Sequence, residues 1–195
     1  MFRYYLTAIF GGLSALFLLS WLVGSIPPSD ALLGLSVAFA GVFLLDALIA
    51  ALVRLIPADR FRPDSCFFRV RPNERRLYVK LGIRRWKDKI PETGGLLCGF
   101  SKKKIAAPHD NAYLTTFIAE TCYAELMHVL SIPAGFLVLF LAPCFDFAYL
   151  WWHALPVAAV NAVLQLLPVL VQRYVRPFLL HAKAYNERKQ KSDAS

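Results

Sequence analysis

The stretch ALLGLSVAFAGVFLLDALIAALVRLI, residues 31–56, decides the fold class. A helix rises about 1.5 Å per residue and a bilayer core is about 30 Å thick, so about 20 apolar residues cross it. This stretch is long enough, and Asp46 is its only charge before Arg54 near its end. Immediately upstream, Tyr4 to Gly24 is an uncharged run of similar reach, joined to it through Ile26-Pro27-Pro28-Ser29-Asp30. Arg3 ahead of that run and the small residues Val23-Gly24-Ser25 after it would also suit a cleavable signal peptide. The run is, however, longer than the roughly 7–15 residues of a signal-peptide core. We read it as a retained helix, and residues 1–56 as a transmembrane hairpin.

Composition agrees with lipid as the solvent. Of 195 residues 57% are hydrophobic, and mean hydropathy is +0.49. That is more apolar surface than one soluble core hides. The net charge of +9 is accounted for by cytoplasmic Lys and Arg beside anionic headgroups, so no nucleic-acid partner is expected. Cys66, Cys98, Cys122 and Cys144 are scattered, with no CxxC and no histidines at ligand spacing. They signal neither a disulfide framework nor a zinc site, and no metal is expected.

Downstream of the hairpin, residues 57–111 form a basic cytoplasmic segment carrying Arg60, Arg62, Arg69, Arg71, Arg75, Arg76, Lys80, Arg84, Arg85, Lys87, Lys89 and Lys102 to Lys104. Within it Asn73 suits an N-cap, Leu77 and Leu81 share a helical face, and Gly82 suits the C′ position, which predicts a short surface helix. Pro91 and Gly94-Gly95 mark a turn. Residues 112–180 read as an interfacial helix plus two transmembrane helices: Ala112 to Leu141, with a kink at Pro133, and about Leu150 to Val171. Tyr149, Trp151 and Trp152 suit an interfacial aromatic belt. Residues 181–195 are a cytoplasmic tail, with Lys189 to Ser195 expected to be disordered. Neither short loop between paired helices, including Pro143-Cys144-Phe145-Asp146, contains Lys or Arg. Positive-inside bias then places both termini in the cytoplasm. The expectation is an all-α integral membrane protein of the cell (inner) membrane, with about four transmembrane helices and the basic segment between helices 2 and 3.

Chemistry concentrates in ETCYAELMH, residues 120–128. At about 100° per residue, Glu120, Thr121, Ala124, Glu125 and His128 share one arc, and Cys122, Tyr123, Leu126 and Met127 occupy the other. Two carboxylates and an imidazole just before a membrane entry are costly unless they face a protein interior or a hydrated cleft. Glu125 and His128, three apart, are helical neighbours, so the carboxylate can orient the imidazole as a base. An interfacial helix with solvated Glu and His is the plainer alternative. HExxH is absent, and a single ExxH supplies at most half a metal site. In the last helix Asn161, Gln165, Gln172 and Arg176 stack on one face, with Arg173 beside them. The polar pair at 161 and 165 can equally serve interhelical hydrogen bonding. The two arginines suit a phosphate or an oxyanion, or simply set topology. Asp46 suits a buried structural acid as well as a functional one. Arg85-Trp86-Lys87-Asp88-Lys89 reads as a contact for a membrane surface or an anionic ligand.

In order along the chain, RRWKDKIP (84–91), ETCYAELMH (120–128) and QRYVRP (172–177) resemble the glycosyl-4,4'-diaponeurosporenoate acyltransferase family of staphyloxanthin biosynthesis, over about residues 70–180. The resemblance implies a small membrane enzyme that esterifies a sugar hydroxyl of a lipid-linked glycoside with a fatty acyl chain. It implies a WKD-type motif at Trp86, Lys87 and Asp88, an ETxxAExxH motif at Glu120, Glu125 and His128, and a QRYxRP motif at Gln172, Arg173, Tyr174 and Arg176. Gln165 and Pro168 stand where the family pattern places an Asn and a Pro shortly before QRY, and Val175 replaces a usual Asn.

The expected activity is acyl transfer at the cytoplasmic interface. His128, oriented by Glu125 or Glu120, takes the proton of a sugar hydroxyl as it attacks an acyl thioester, a role worth about 10²–10⁴-fold. Arg173, Arg176, Gln172, Tyr174, Trp86, Lys87, Asp88 and Asp46 are the candidate substrate-binding residues. No cofactor is expected beyond acyl-CoA or acyl-carrier protein as co-substrate. The partners are membrane lipids, the glycolipid acceptor and the thioester donor. The competing readings are a non-catalytic lipid-binding scaffold that recruits headgroups through Lys102 to Lys104, and a lipid-modifying transferase of another reaction type.

Overall fold

The computed structural model describes residues 2–90, 105–144 and 149–193. Among them every regular element is helical and no strand forms. The helices are α1 (Phe2–Leu22), α2 (Pro28–Arg54), α3 (Pro72–Lys80), α4 (Ile83–Trp86), α5 (Asn111–Gly135) and α6 (Leu155–Asp193). Past Gly135, α5 tightens into a 3-10 helix over Phe136–Cys144, and a π-helical turn, Leu150–Ala154, leads into α6. The expected features at Pro91, Gly94-Gly95, Cys98, Lys102 to Lys104 and Asp146 lie outside the described residues.

Among the described residues three helical stretches are long and apolar enough to cross a membrane: Pro28–Arg54, Asn111–Ala142 and Leu150–Asp193. The protein is a membrane protein on that ground. Four crossings were expected. For the fourth, α1, the apolar stretch among the described residues is Ile9–Leu22. Helix α2 starts where Pro28 stands at its first position, with Asp30 in the first turn opposite the positive end of the helix dipole.

The chain divides into two compact units, residues 1–55 with 127–167 and residues 56–126 with 168–195. In the first, Leu35, Ala38, Val42, Val138, Tyr149, Ala154, Val157 and Ala158 form the core. Phe43, Leu44, Leu48 and Leu52 of α2 point outward, as side chains facing lipid must. Small residues permit close approach between helices. A Cβ at Gly34 would collide with the buried His153 ring, and one at Gly135 would meet the Asn161 amide at 2.8 Å.

In the second unit Leu114, Phe117, Ile118 and Leu179 make the core. Phe61 stacks on Tyr123 with ring centroids 3.7 Å apart, and the Tyr123 hydroxyl donates to the Ile56 carbonyl at 2.6 Å. The surface helix expected in the basic segment is α3. It begins at Pro72, with Arg71 rather than Asn73 as N-cap, since a proline is pre-organised for the first helical position. Its last turn gives way to Gly82 at φ 62°, the left-handed conformation that glycine adopts without strain.

The last helix, expected over about Leu150 to Val171 with disorder only from Lys189 to Ser195, continues to Asp193. Strong helix formers fill its final turns, and tertiary contacts hold them. Leu179 packs in the core, the Asn186 amide donates to the Pro108 carbonyl at 2.8 Å, and Asn111 donates to Gln190 at 3.3 Å.

Gly34→Ala is expected to lower stability by about 1–3 kcal/mol, the usual cost of overpacking a filled contact. Gly11→Ala, where nothing lies within 4 Å of the added carbon, should cause no such loss. Thermal inactivation in detergent compares them, and equal behaviour of the two variants would contradict this packing.

Candidate active site

The first unit contains a chain of polar side chains within its apolar helices. His128 of α5 places Nδ1 2.5 Å from Oε1 of Gln165 on α6. The Gln165 amide nitrogen donates to Oδ2 of Asp46 on α2 at 2.5 Å, and lies 3.4 Å from Oδ1 of Asn161. Ser131, one turn beyond His128, also borders the Asp46 carboxyl. Helical spacing makes this possible: 128 and 131 are three apart and 161 and 165 are four apart, so each pair shares a face. In hydrocarbon a polar group without a partner costs several kcal/mol, so such groups face one another.

The second unit is organised by two arginines of α6. Arg176 is fully buried and Glu125 is 1% exposed. The Glu125 carboxylate forms an ion pair with Arg176 Nη2 at 2.6 Å and accepts a hydrogen bond from Arg173 Nη1. Arg173 also donates to Glu74 Oε2 at 2.7 Å, to the Tyr78 hydroxyl at 3.2 Å, and to the carbonyls of Phe67 at 3.1 Å and Arg69 at 3.2 Å. Arg176 donates to Thr121 Oγ1 at 2.9 Å, to the Thr121 carbonyl at 3.1 Å and to the Phe68 carbonyl at 2.7 Å. Its guanidinium carbon lies 5.5 Å from the centre of the Phe68 ring. Planar, multiply donating guanidinium groups suit this task, which lysine cannot perform.

Burial pushes the Glu74 carboxyl up, but the Arg173 hydrogen bond and charge and the Tyr78 hydroxyl outweigh it, and its pKa sits below the usual carboxylate range. Burial and the neighbouring Glu74 raise the Tyr78 phenol.

The structure thus brings Asp46 and His128 together through Gln165, and Glu125, Arg173 and Arg176 together directly. Glu120 is half-buried on the same helix as Glu125. Trp86 donates from its indole to the Leu81 carbonyl at 3.1 Å, and Lys87 pairs with Asp88 at 2.6 Å. Tyr174 packs its ring 5.4 Å from that of Phe178, and Gln172 is half-buried. Sequence reasoning missed Glu74 and Tyr78. Glu74 lies 99 residues from Arg173, a separation at which no local periodicity links them. Among the described residues, no three His, Cys, Asp or Glu side chains are grouped to hold a metal ion, and Cys66, Cys122 and Cys144 are free thiols.

A profile of the glycosyl-4,4'-diaponeurosporenoate acyltransferase family matches residues 60–182. The chain belongs to this family. The matched region includes all three sequence motifs, the whole arginine cluster, and His128 with Gln165. Family membership identifies an acyltransferase family with a carotenoid-related substrate in its name, and the apolar helices agree with membrane residence. No curated protein and no solved structure matches the chain.

A carboxyl that folding holds ionised adds stability fully present above its unfolded pKa and lost as pH falls through the lower folded value. For Glu74 the window runs downward from the ordinary carboxylate range. Thermal stability in detergent should therefore decline more steeply on acidification for the wild type than for Glu74→Gln. Parallel curves would show that the Arg173 pair contributes nothing to the acid limb.

Proposed function

We propose that the protein transfers a fatty acyl chain from a cytosolic thioester, acyl-CoA or acyl-carrier protein, to a sugar hydroxyl of a lipid-linked glycoside. Family membership supplies the reaction class. The observation that carries the assignment of the base is the placement of His128 in a hydrogen-bonded polar chain inside a membrane-spanning helix. An imidazole in that setting is a functional group by default.

His128 removes the proton of the sugar hydroxyl as its oxygen attacks the thioester carbonyl carbon. The tetrahedral intermediate then collapses, the carbon–sulfur bond breaks, and the departing thiolate takes the proton back from the imidazolium. Ester and free thiol are the products, and the proton count closes without a cofactor. The donors of Arg173 and Arg176 are engaged by Glu125, Glu74, Thr121 and backbone carbonyls. That geometry favours for them a part in shaping the protein over direct capture of a phosphate. Trp86 and Lys87, with Gln172 and Tyr174, are the better candidates for substrate contact, Lys87 as the partner of the donor's phosphates.

His128→Ala, expressed at the wild-type level, is expected to reduce acylated glycoside in a lipid mass-spectrometric profile by about 10²–10⁴-fold. An unchanged ester signal would end the assignment of His128 as base.

We further propose that the protein lies in the inner membrane with both termini in the cytoplasm, supported by short connecting loops at 24–30 and 143–149 that carry no Lys or Arg. A green fluorescent protein fused to either terminus should fluoresce, and alkaline phosphatase fused there should be inactive. The reverse pattern at either end would overturn this orientation.

A further inference from the structure

We infer that Asp46 and Gln165 act as an orienting relay that fixes His128 as its Nδ1–H tautomer, so that Nε2 is the nitrogen that accepts the substrate proton. The clause on Nε2 rests on the acyl-transfer reading above; the tautomer itself does not.

The argument begins at Asp46. An ionised carboxylate only accepts hydrogen bonds, whereas a glutamine amide has a donating end and an accepting end. Hydrogens are assigned from such networks, and here the network decides. With its nitrogen toward Asp46 Oδ2 at 2.5 Å and Asn161 Oδ1 at 3.4 Å, Gln165 donates to two acceptors. Turning the amide over would set its oxygen against the ionised Asp46 carboxylate, exchanging a hydrogen bond for a repulsion between lone pairs. With Asp46 ionised the nitrogen therefore faces it, and the carbonyl oxygen, which can only accept, faces Nδ1 of His128 at 2.5 Å. Nδ1 must carry the proton. In the neutral ring the lone pair then belongs to Nε2, the form a general base requires.

Asp46 and Gln165 are thus positioning residues. Neither touches substrate, and Asp46 acts through an amide 119 residues away in sequence. The relay spans three helices of one unit, α2, α5 and α6, so the orientation of the base depends on those helices being packed together.

The test uses the full-length protein in lipid nanodiscs, with histidine rings labelled with ¹⁵N, at a pH about two units above the ordinary histidine value so that the ring is neutral. Ring nitrogen shifts report the tautomer, and His128→Gln assigns the resonance. The wild type should show His128 predominantly as Nδ1–H. Asp46→Asn keeps the shape but can donate to the Gln165 oxygen, which releases the amide to turn over, so the Nε2–H form should become populated. Gln165→Leu, which offers no acceptor, should lose the Nδ1–H preference too and serves if Asp46→Asn does not assemble. A wild-type ring that is mainly Nε2–H, or variants with the wild-type spectrum, would overturn the relay. In acyl transfer, Asp46→Asn should lower kcat about tenfold or more with little change in KM. Full transfer by His128→Ala would instead remove the base role, while the tautomer stands or falls on the spectrum alone.

Discussion

The carboxylate of Glu125, buried and gripped by the guanidinium groups of Arg173 and Arg176, is the interaction on which the rest of its unit depends. Through the same two arginines it is tied to Glu74 and Tyr78 of α3 and to the backbone carbonyls of residues 67, 68 and 69. A loop with little regular structure is thereby fixed by side chains of α6. Removing one partner of a buried ion pair leaves an uncompensated charge and costs about 3–5 kcal/mol. The cluster is therefore cooperative: no member can change character without exposing the others.

The other unit solves the same problem with amides, a hydroxyl and an imidazole around a single acid. Asp46, Gln165, Asn161, Ser131 and His128 lie on apolar stretches of their helices, and the amide of Gln165 joins acid to imidazole. Close helix packing makes such short contacts possible. Gly135 faces the Asn161 side chain and Gly34 faces His153, so the small residues that admit a polar partner are as much a part of the arrangement as the polar residues themselves.

Much of this was legible in the sequence. The apolar run at 31–56, broken only by Asp46 before Arg54, placed α2 to within a few residues of its observed bounds, and the glycine after Leu81 marked the end of α3. The motifs carrying Glu125, His128, Arg173 and Arg176 were recognisable as polar stripes. Their partners were not. Spacing along one helix offered Glu125 or Glu120 as the partner of His128, but local periodicity is blind to the two arginines on another helix that pair with the Glu125 carboxylate. Asp46 and Gln165 were each noticeable as polar groups in apolar runs, yet nothing in either run linked one to the other. The long reach of α6 was hidden for a related reason: a charged tail reads as solvated until Leu179 and Asn186 are seen to have partners.

Family membership and a membrane-spanning scaffold describe a member of a membrane acyltransferase family, to which the proposed mechanism adds an imidazole base held by a relay. The most direct test is a balance of products. Purified wild-type protein in nanodiscs, given acyl-CoA and a lipid-linked glycoside, should release free thiol and form glycoside ester in equal amounts, measured by thiol titration and mass spectrometry of the same reaction. Thiol release without ester, or neither product from any acyl thioester tried, would contradict the account.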